Sequence, residues 1–183
     1  MCNMTIFVRN NLHYNFNKCL NMREINLSTK IAVYPLDECS DLEKKLIAAA
    51  KHATEKSYAP YSNFHVGAAL LLENGEIISG NNQENAAYPS GLCAERIAIF
   101  SANSNYPDQK VVAIAIAASV DNVFTKDAIT PCGGCRQVLL ETENRYRSPI
   151  RILMYSESEV YVLNSIKDIL PLSFGDEQLN ASK

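Results

Sequence analysis

The feature that most constrains the fold of this chain is a pair of cysteine motifs about forty residues apart. The first, Cys-Ala-Glu, runs from Cys93 to Glu95, and the second, Pro-Cys-x-x-Cys, contains Cys132 and Cys135. Three cysteine thiolates can bind one zinc ion and leave the fourth position of its tetrahedral site open. The fold must then bring two distant segments to one point.

An open position on zinc has chemical consequences. It can admit a water molecule, and zinc lowers the pKa of such a water to about 7. Glu95 follows Cys93 by two residues, so its carboxylate can carry protons beside the metal. The pattern therefore indicates a hydrolytic metalloenzyme rather than a domain that is only stabilised by a metal.

The spacing of the cysteines predicts how they are held. Cys132 and Cys135 are three residues apart, so at a helix start they lie on one face, where the positive end of the helix stabilises thiolates. We expect Cys93 to open a second helix in the same way. Because three thiolates on Zn²⁺ leave a net charge of −1, we also expect Arg96 to lie close enough to donate to a thiolate.

Other interpretations of the cysteine cluster remain open. A closed structural zinc site needs a fourth protein ligand, for which His52 and His65 are available, although neither is spaced near a cysteine pair. A redox pair at Cys132 and Cys135 would leave Cys93 unexplained. A zinc-stabilised binding module would not need the glutamate, and turnover separates it from an enzyme.

Composition excludes several classes of partner. The chain has 183 residues, 47% hydrophobic and 20% charged, with a formal net charge of −3. This balance fits one domain with a continuous core and does not provide the basic surface that a nucleic-acid backbone requires. No apolar run reaches membrane-spanning length, and the first twenty residues do not form a secretory signal. We expect a cytoplasmic protein with a small-molecule substrate and neither a nucleic-acid nor a membrane partner.

Two regions are predicted along the chain. Residues 1–38 are rich in Asn and show no hydrophobic period, so we expect an N-terminal extension that is poorly ordered. The catalytic domain is expected to span 39–183. Its first helix begins at the capping box that Ser40 and Glu43 form, and Leu42 opens the apolar face of this helix.

Hydrophobic periodicity and turn signals predict the remaining elements. Asn74-Gly75 is a strong hairpin signal between two of the strands. The element order predicts an α/β fold, a three-layer α/β/α sandwich with a five-stranded mixed sheet. The predicted helices cover 40–57, 93–102, 132–141 and 165–170, and the predicted strands cover 64–72, 76–80, 111–119, 150–155 and 160–163.

Three blocks of this sequence resemble a known family. They read YAPYSNFHVGAA at 58–69, GNNQENAAY at 80–88 with CAER at 93–96, and PCGGCRQ at 131–137. Zinc deaminases with three cysteine ligands carry the Pro-Cys-x-x-Cys signature and a glutamate that is not a ligand. Within that superfamily the chain is similar to the small, homotetrameric, three-cysteine cytidine deaminases, over most of its length. The resemblance implies the cytidine deaminase-like form of the predicted fold.

The resemblance also implies an activity and a cofactor. The reaction is hydrolytic deamination of cytidine and 2′-deoxycytidine to uridine and 2′-deoxyuridine, with release of ammonia, in pyrimidine salvage. One Zn²⁺ per subunit is implied, with Cys93, Cys132 and Cys135 as its ligands and Glu95 as the catalytic residue.

Substrate contacts follow from the same resemblance. Phe64 would pack against the pyrimidine ring, and Asn82 and Glu84 would bind the ribose hydroxyls. The backbone of Ala94 would read the base together with the catalytic glutamate.

The expected homotetramer extends these contacts between subunits. Tyr88 and Phe174 match positions that reach the site of a neighbouring subunit in the family. Considered alone, each of these aromatic side chains is more typical of an ordinary core or surface position than of a binding site.

Two related activities are alternatives. Deaminases of cytosine-bearing antibiotics such as blasticidin S carry both cysteine motifs, but the blocks at 60–64 and 84–88 favour a nucleoside substrate. Polynucleotide-editing deaminases usually have His at the position of Cys93 and a basic surface, and this chain is acidic.

Overall fold

A seven-stranded mixed sheet forms the centre of this computed structural model, which describes residues 23–180. The sheet order is β1-β7-β6-β4-β2-β3, with β5 paired to the end of β4. Strands β4 and β6 run parallel, and every other described pairing is antiparallel. The strands are β1 (Ala32–Pro35), β2 (His65–Leu72), β3 (Ile77–Asn81), β4 (Val111–Val120), β5 (Val123–Phe124), β6 (Arg151–Tyr155) and β7 (Glu159–Leu163).

Helices cover both faces of the sheet and confirm the predicted three-layer arrangement. Helix α1 packs on one face, and α2 and α3 pack on the other. None of the helices in the described part of the chain is long and apolar enough to cross a membrane. The α-helices are α1 (Asp41–Thr54), α2 (Ala94–Asn105), α3 (Gly133–Tyr146) and α4 (Asp176–Asn180), and short 3-10 turns occupy Leu36–Glu38, Tyr88–Ser90 and Ile166–Ile169.

All five predicted strands are present, but the predicted strand count was too low. Strand β1 is only four residues long and pairs with β7 at the sheet edge, so it carries too few residues for a period to be visible. It lies in the segment 1–38 that was expected to be poorly ordered, whereas residues 1–22 lie outside the described chain. Strand β5 returns from β4 through Asp121 and Asn122, both at positive φ, as a two-residue hairpin requires.

The helix predictions need three smaller corrections. The element predicted at 165–170 is a single 3-10 turn, and α4 was not predicted. Leu42 at the start of α1 is exposed, although the periodicity placed it on the buried face. The capping box itself is confirmed, since Ser40 Oγ accepts a hydrogen bond from Glu43 N and Ser40 N donates to the Glu43 carboxylate.

Successive side chains of the strands point to opposite faces of the sheet and pack into two separate hydrophobic cores. Ala68 and Leu70 of β2 face α2 and α3, whereas Ala69 and Leu71 face α1. Strand β4 is apolar on both faces, because both are covered by helices.

One glycine sets the distance between the sheet and the helix that begins at the first cysteine motif. A Cβ atom on Gly80 of β3 would lie 2.5 Å from Ala94 O and 2.6 Å from Ala98 N. Only a residue without a side chain lets α2 pack this closely on the sheet. Gly80 thereby positions the first turn of α2, where the candidate site begins.

Candidate metal and catalytic site

The three motif cysteines meet at the starts of two helices, as their spacing predicted. Cys93 is the N-cap residue of α2, Cys132 is the N-cap residue of α3, and Cys135 lies in the first turn of α3. The Sγ atom of Cys132 is 3.8 Å from that of Cys93 and 3.5 Å from that of Cys135. All three sulfur atoms lie within 4.8 Å of one another.

This donor set fits a zinc ion with an open position. Three thiolate ligands bind Zn²⁺ tetrahedrally and leave one place for another group. The two histidines in the described chain are engaged elsewhere: His65 contacts Ser57 Oγ, and His52 pairs with Glu55. Neither histidine joins the cysteine cluster, so the structure does not provide the fourth ligand that a closed structural site would need from them.

Arg96 brings positive charge to the cluster. Its Nη2 atom donates to Cys93 Sγ at 3.7 Å, and its Nε atom is buried without a hydrogen-bond partner among the described residues. A partly buried guanidinium beside three thiols suits a metal cluster of net charge −1. The structure thus places Arg96 where the sequence predicted a donor to a thiolate.

The pKa values of two cysteine thiols in the cluster are shifted in opposite directions. Hydrogen bonds from Cys135, Arg96 and Cys132 outweigh burial and lower the pKa of the Cys93 thiol to about 5. The hydrogen bond to Cys93, together with burial, raises the pKa of Cys135. The first thiolate therefore forms readily, and a metal ion supplies the charge needed to deprotonate the remaining thiols.

Glu95 lies beside the cysteines and is only 5% exposed. Burial raises the pKa of its carboxyl, and the Cys93 thiolate adds to this effect. A carboxyl group that binds its proton more tightly than usual is suited to general acid and base chemistry near neutral pH.

A cavity of about 610 Å³ opens over these groups. Its volume is typical of small-molecule sites. Two of the clustered cysteines, Cys93 and Cys132, line it together with Glu95. The other lining residues are Ser62, Phe64, Val66, Asn82, Gln83, Glu84, Asn85, Tyr88, Gly91, Leu92, Arg96, Ile129 and Thr130.

Asn82 and Glu84 line this cavity, and their side chains also form hydrogen bonds with neighbouring residues of the cavity wall. The Asn82 amide accepts from Val66 N at 2.7 Å and donates to Phe64 O at 2.8 Å. Each end of that amide keeps one further hydrogen-bonding position. The Glu84 carboxylate accepts from Ser62 Oγ at 2.5 Å and from Tyr61 N at 2.8 Å, and these bonds lower its pKa.

The other residues expected to contact substrate occupy different places. Phe64 and Tyr88 line the cavity, and Tyr88 is 76% exposed and stacks edge-on against Tyr61. Ala94 is buried as the first residue of α2. Phe174 does not line the cavity; it is 58% exposed, and its carbonyl accepts from Gln137 Nε2 at 2.8 Å.

Sequence reasoning did not single out several residues of the cavity wall. Ser62 fixes Glu84, and Ile129 and Thr130 form the wall beside the second cysteine motif. Ser62 lies inside the first similar block, so its position there was the available signal. Ile129 and Thr130 belong to none of the three blocks and carried no signal of their own.

Three clustered thiols and a buried carboxylate at one cavity are the arrangement expected of a zinc-dependent hydrolytic enzyme. The family model "Cytidine and deoxycytidylate deaminase zinc-binding region" matches residues 40–147. The chain belongs to this family and is an enzyme of the hydrolytic deaminase class.

Individual relatives agree with the family model. A cytidine deaminase of Halalkalibacterium halodurans is 40% identical over 143 residues, which cover 74% of this chain and 96% of the relative. One of Sporosarcina psychrophila is 39% identical over 145 residues, 75% of this chain and 94% of the relative. The crystal structure of cytidine deaminase from Burkholderia pseudomallei superposes with a TM-score of 0.61 at 40% identity and covers 72% of this chain and 98% of that one.

Proposed function

We propose that this chain hydrolyses cytidine and 2′-deoxycytidine to uridine and 2′-deoxyuridine, releasing ammonia. The observation that carries the proposal is the buried Glu95 carboxylate beside three clustered thiols at a cavity of about 610 Å³. The names of the relatives from H. halodurans and S. psychrophila support the substrate class.

One zinc ion per subunit would be held by Cys93, Cys132 and Cys135. When bound, zinc supplies Lewis acidity that makes a water molecule nucleophilic near neutral pH. Arg96, through its bond to Cys93 Sγ, offsets the negative charge of the three thiolates and preserves that acidity.

Glu95 moves the protons of the reaction. Its carboxylate takes a proton from the attacking water as oxygen adds to C4 of cytosine. It delivers this proton to ring nitrogen N3. It then takes the second proton from the hydroxyl group now on C4 and passes it to the amino nitrogen, so that the C4–N bond breaks, ammonia leaves and the C4 carbonyl forms. Positioned proton transfer of this kind contributes about 10²–10⁴-fold in rate.

The cavity wall orients the nucleoside. Phe64 packs against the pyrimidine ring, and the backbone of Ala94 reads its edge at the start of α2. Asn82 and Glu84 bind the ribose hydroxyls with the hydrogen-bonding capacity that remains after they have fixed the wall.

A homotetramer would complete each site. Tyr88 and Phe174 are both exposed in the single chain, which supports a role in which they reach the cavity of a neighbouring subunit. We place the reaction in pyrimidine salvage in the cytoplasm.

Ammonia release from the purified, zinc-loaded protein tests this function, with cytidine, 2′-deoxycytidine and blasticidin S assayed in parallel. Release from the two nucleosides supports the proposal. Release only from the antibiotic would keep the chemistry and refute the substrate. Release from none of them, with zinc bound, would refute the proposed reaction and favour a binding role.

A further inference from the structure

Arg136 joins two segments of the chain next to the cysteine cluster. It lies on α3, one residue after Cys135, and is partly buried. Its Nε donates to Pro131 O at 2.8 Å, its Nη2 to Thr130 Oγ1 at 3.3 Å, and its Nη1 to Ile169 O at 2.8 Å. One planar guanidinium therefore holds the loop before α3 and the end of the 3-10 turn Ile166–Ile169.

The loop held by Arg136 carries two parts of the site. Cys132 follows Pro131 directly, is exposed, and has no side-chain capping bond, so the path of the preceding loop determines where its Sγ lies. Thr130 lines the cavity. A displacement of this loop would move a metal ligand and the cavity wall together.

The third anchor connects the loop to the core. Ile166 at the start of the 3-10 turn is fully buried, and Ile169 packs against the same core. The buried Glu143 carboxylate of α3 accepts from Ile166 N at 3.0 Å and from Ser165 Oγ at 2.8 Å. Glu143 thus holds the start of the turn, and the packing of Ile169 on the core holds its end. The hydrogen bond from Arg136 to Ile169 O therefore connects the loop to a fixed part of the structure.

We propose that Arg136 is a positioning residue that sets Cys132 for metal binding and Thr130 for substrate binding. The substrate part of this inference rests on the proposed function, whereas the metal part does not. A lysine cannot replace Arg136, because one ammonium group cannot span acceptors on two segments with the fixed geometry of a guanidinium.

The test compares Arg136→Lys with Arg145→Lys in the zinc-loaded, full-length protein. Arg145 is a matched control, since it lies on the same helix and donates to a different loop, at Pro107 O. For Arg136→Lys we expect zinc to pass to an excess of chromogenic chelator about 10–100-fold faster at 25 °C, as when other supports of metal ligands are lost. We also expect a higher KM for cytidine, with a smaller change in kcat of the zinc-saturated protein because Glu95 lies on α2.

Unchanged zinc release and KM in Arg136→Lys, or equal changes in Arg145→Lys, would overturn the inference. A lower melting temperature without faster zinc release would also overturn it, because that result indicates a purely structural role. If the protein does not deaminate cytidine at all, the proposed function fails while zinc release still decides the role of Arg136.

A second variant covers the case in which Arg136→Lys does not fold. Thr130→Val removes one acceptor of the guanidinium and leaves the other two in place. We expect a smaller acceleration of zinc release, and a wild-type release rate would count against the inference.

Discussion

Arg96 Nη2 lies 3.7 Å from Cys93 Sγ, one helical turn further along α2. The same helix therefore carries a proposed metal ligand and the cation that would balance its charge. Because both groups are carried by one turn of backbone, their separation is set locally and does not depend on the packing of α2 against α3.

Replacing Arg96 tests the charge balance. Arg96→Gln removes the positive charge, so the three thiolates would hold the metal cluster at a net negative charge. We expect kcat for cytidine to fall about 10–100-fold at full zinc occupancy. Arg96→Lys is the matched control and should retain more activity; wild-type kcat in the Gln variant would contradict the prediction.

The role of Glu95 is tested by Glu95→Gln, which keeps the shape of the side chain and removes proton transfer. We expect loss of about 10²–10⁴-fold in kcat, with the zinc content of the protein unchanged. Zinc analysis and steady-state kinetics on the same preparation check both parts. Substantial turnover in this variant would remove Glu95 from the mechanism.

Gly80→Ala tests the close packing of α2 on β3. The added Cβ would clash with Ala94 O, so we expect a loss of about 1–3 kcal/mol in the free energy of unfolding and reduced activity. Gly134→Ala is the control for stability, because a Cβ there meets no described atom within 4 Å apart from its chain neighbours and the backbone of its own helix. Denaturant unfolding should separate the two variants, and equal stability would show that α2 can shift without cost.

Stability should depend on pH through Glu43. Burial alone would raise its pKa, but hydrogen bonds from Ser40 and Arg151 outweigh burial and hold the pKa below its usual value. A lowered pKa in the folded state contributes stability above the unfolded value, about 4.3, and this contribution disappears as pH falls through the folded value. We expect Glu43→Gln to cost about 1 kcal/mol at pH 7 and progressively less below pH 4.

Urea unfolding of Glu43→Gln across this pH range, beside Glu141→Gln, measures that dependence. Glu141 lies on the exposed side of α3, and its side chain makes no hydrogen bond or ion pair with the residues that the structure describes. A difference between Glu43→Gln and wild type that stays constant with pH would refute the role of the charge.

The sequence predicted the long elements and the meeting of the three motif cysteines because each leaves a local pattern. The cysteine motifs placed Cys93 and Cys132 at helix starts, and the nearly continuous apolar runs of β2 and β4 marked strands covered on both faces. These patterns depend on neighbours a few residues away, so a single sequence contains them.

The remaining features depend on contacts between distant residues. Strand β1 exists because β7 offers it an edge, and nothing within its four residues requires a strand. In the sequence Arg136 is likewise an ordinary helix residue. Its role becomes visible only in the fold, where its guanidinium donates to Ile169 O, 33 residues further along the chain. The exposure of Phe174 and Tyr88 also depends on what packs beside them, which local periodicity does not contain.

The helix starts at Cys93 and Cys132 have a further consequence. Ser, Thr, Asp or Asn at an N-cap normally accepts a bond from the first-turn amides, and these thiols make no such bond. The first turns of α2 and α3 are therefore free to fray when the sulfur atoms are not held together. Amide hydrogen exchange in those two turns should slow when metal binds, so the backbone itself would report metal occupancy without any substrate.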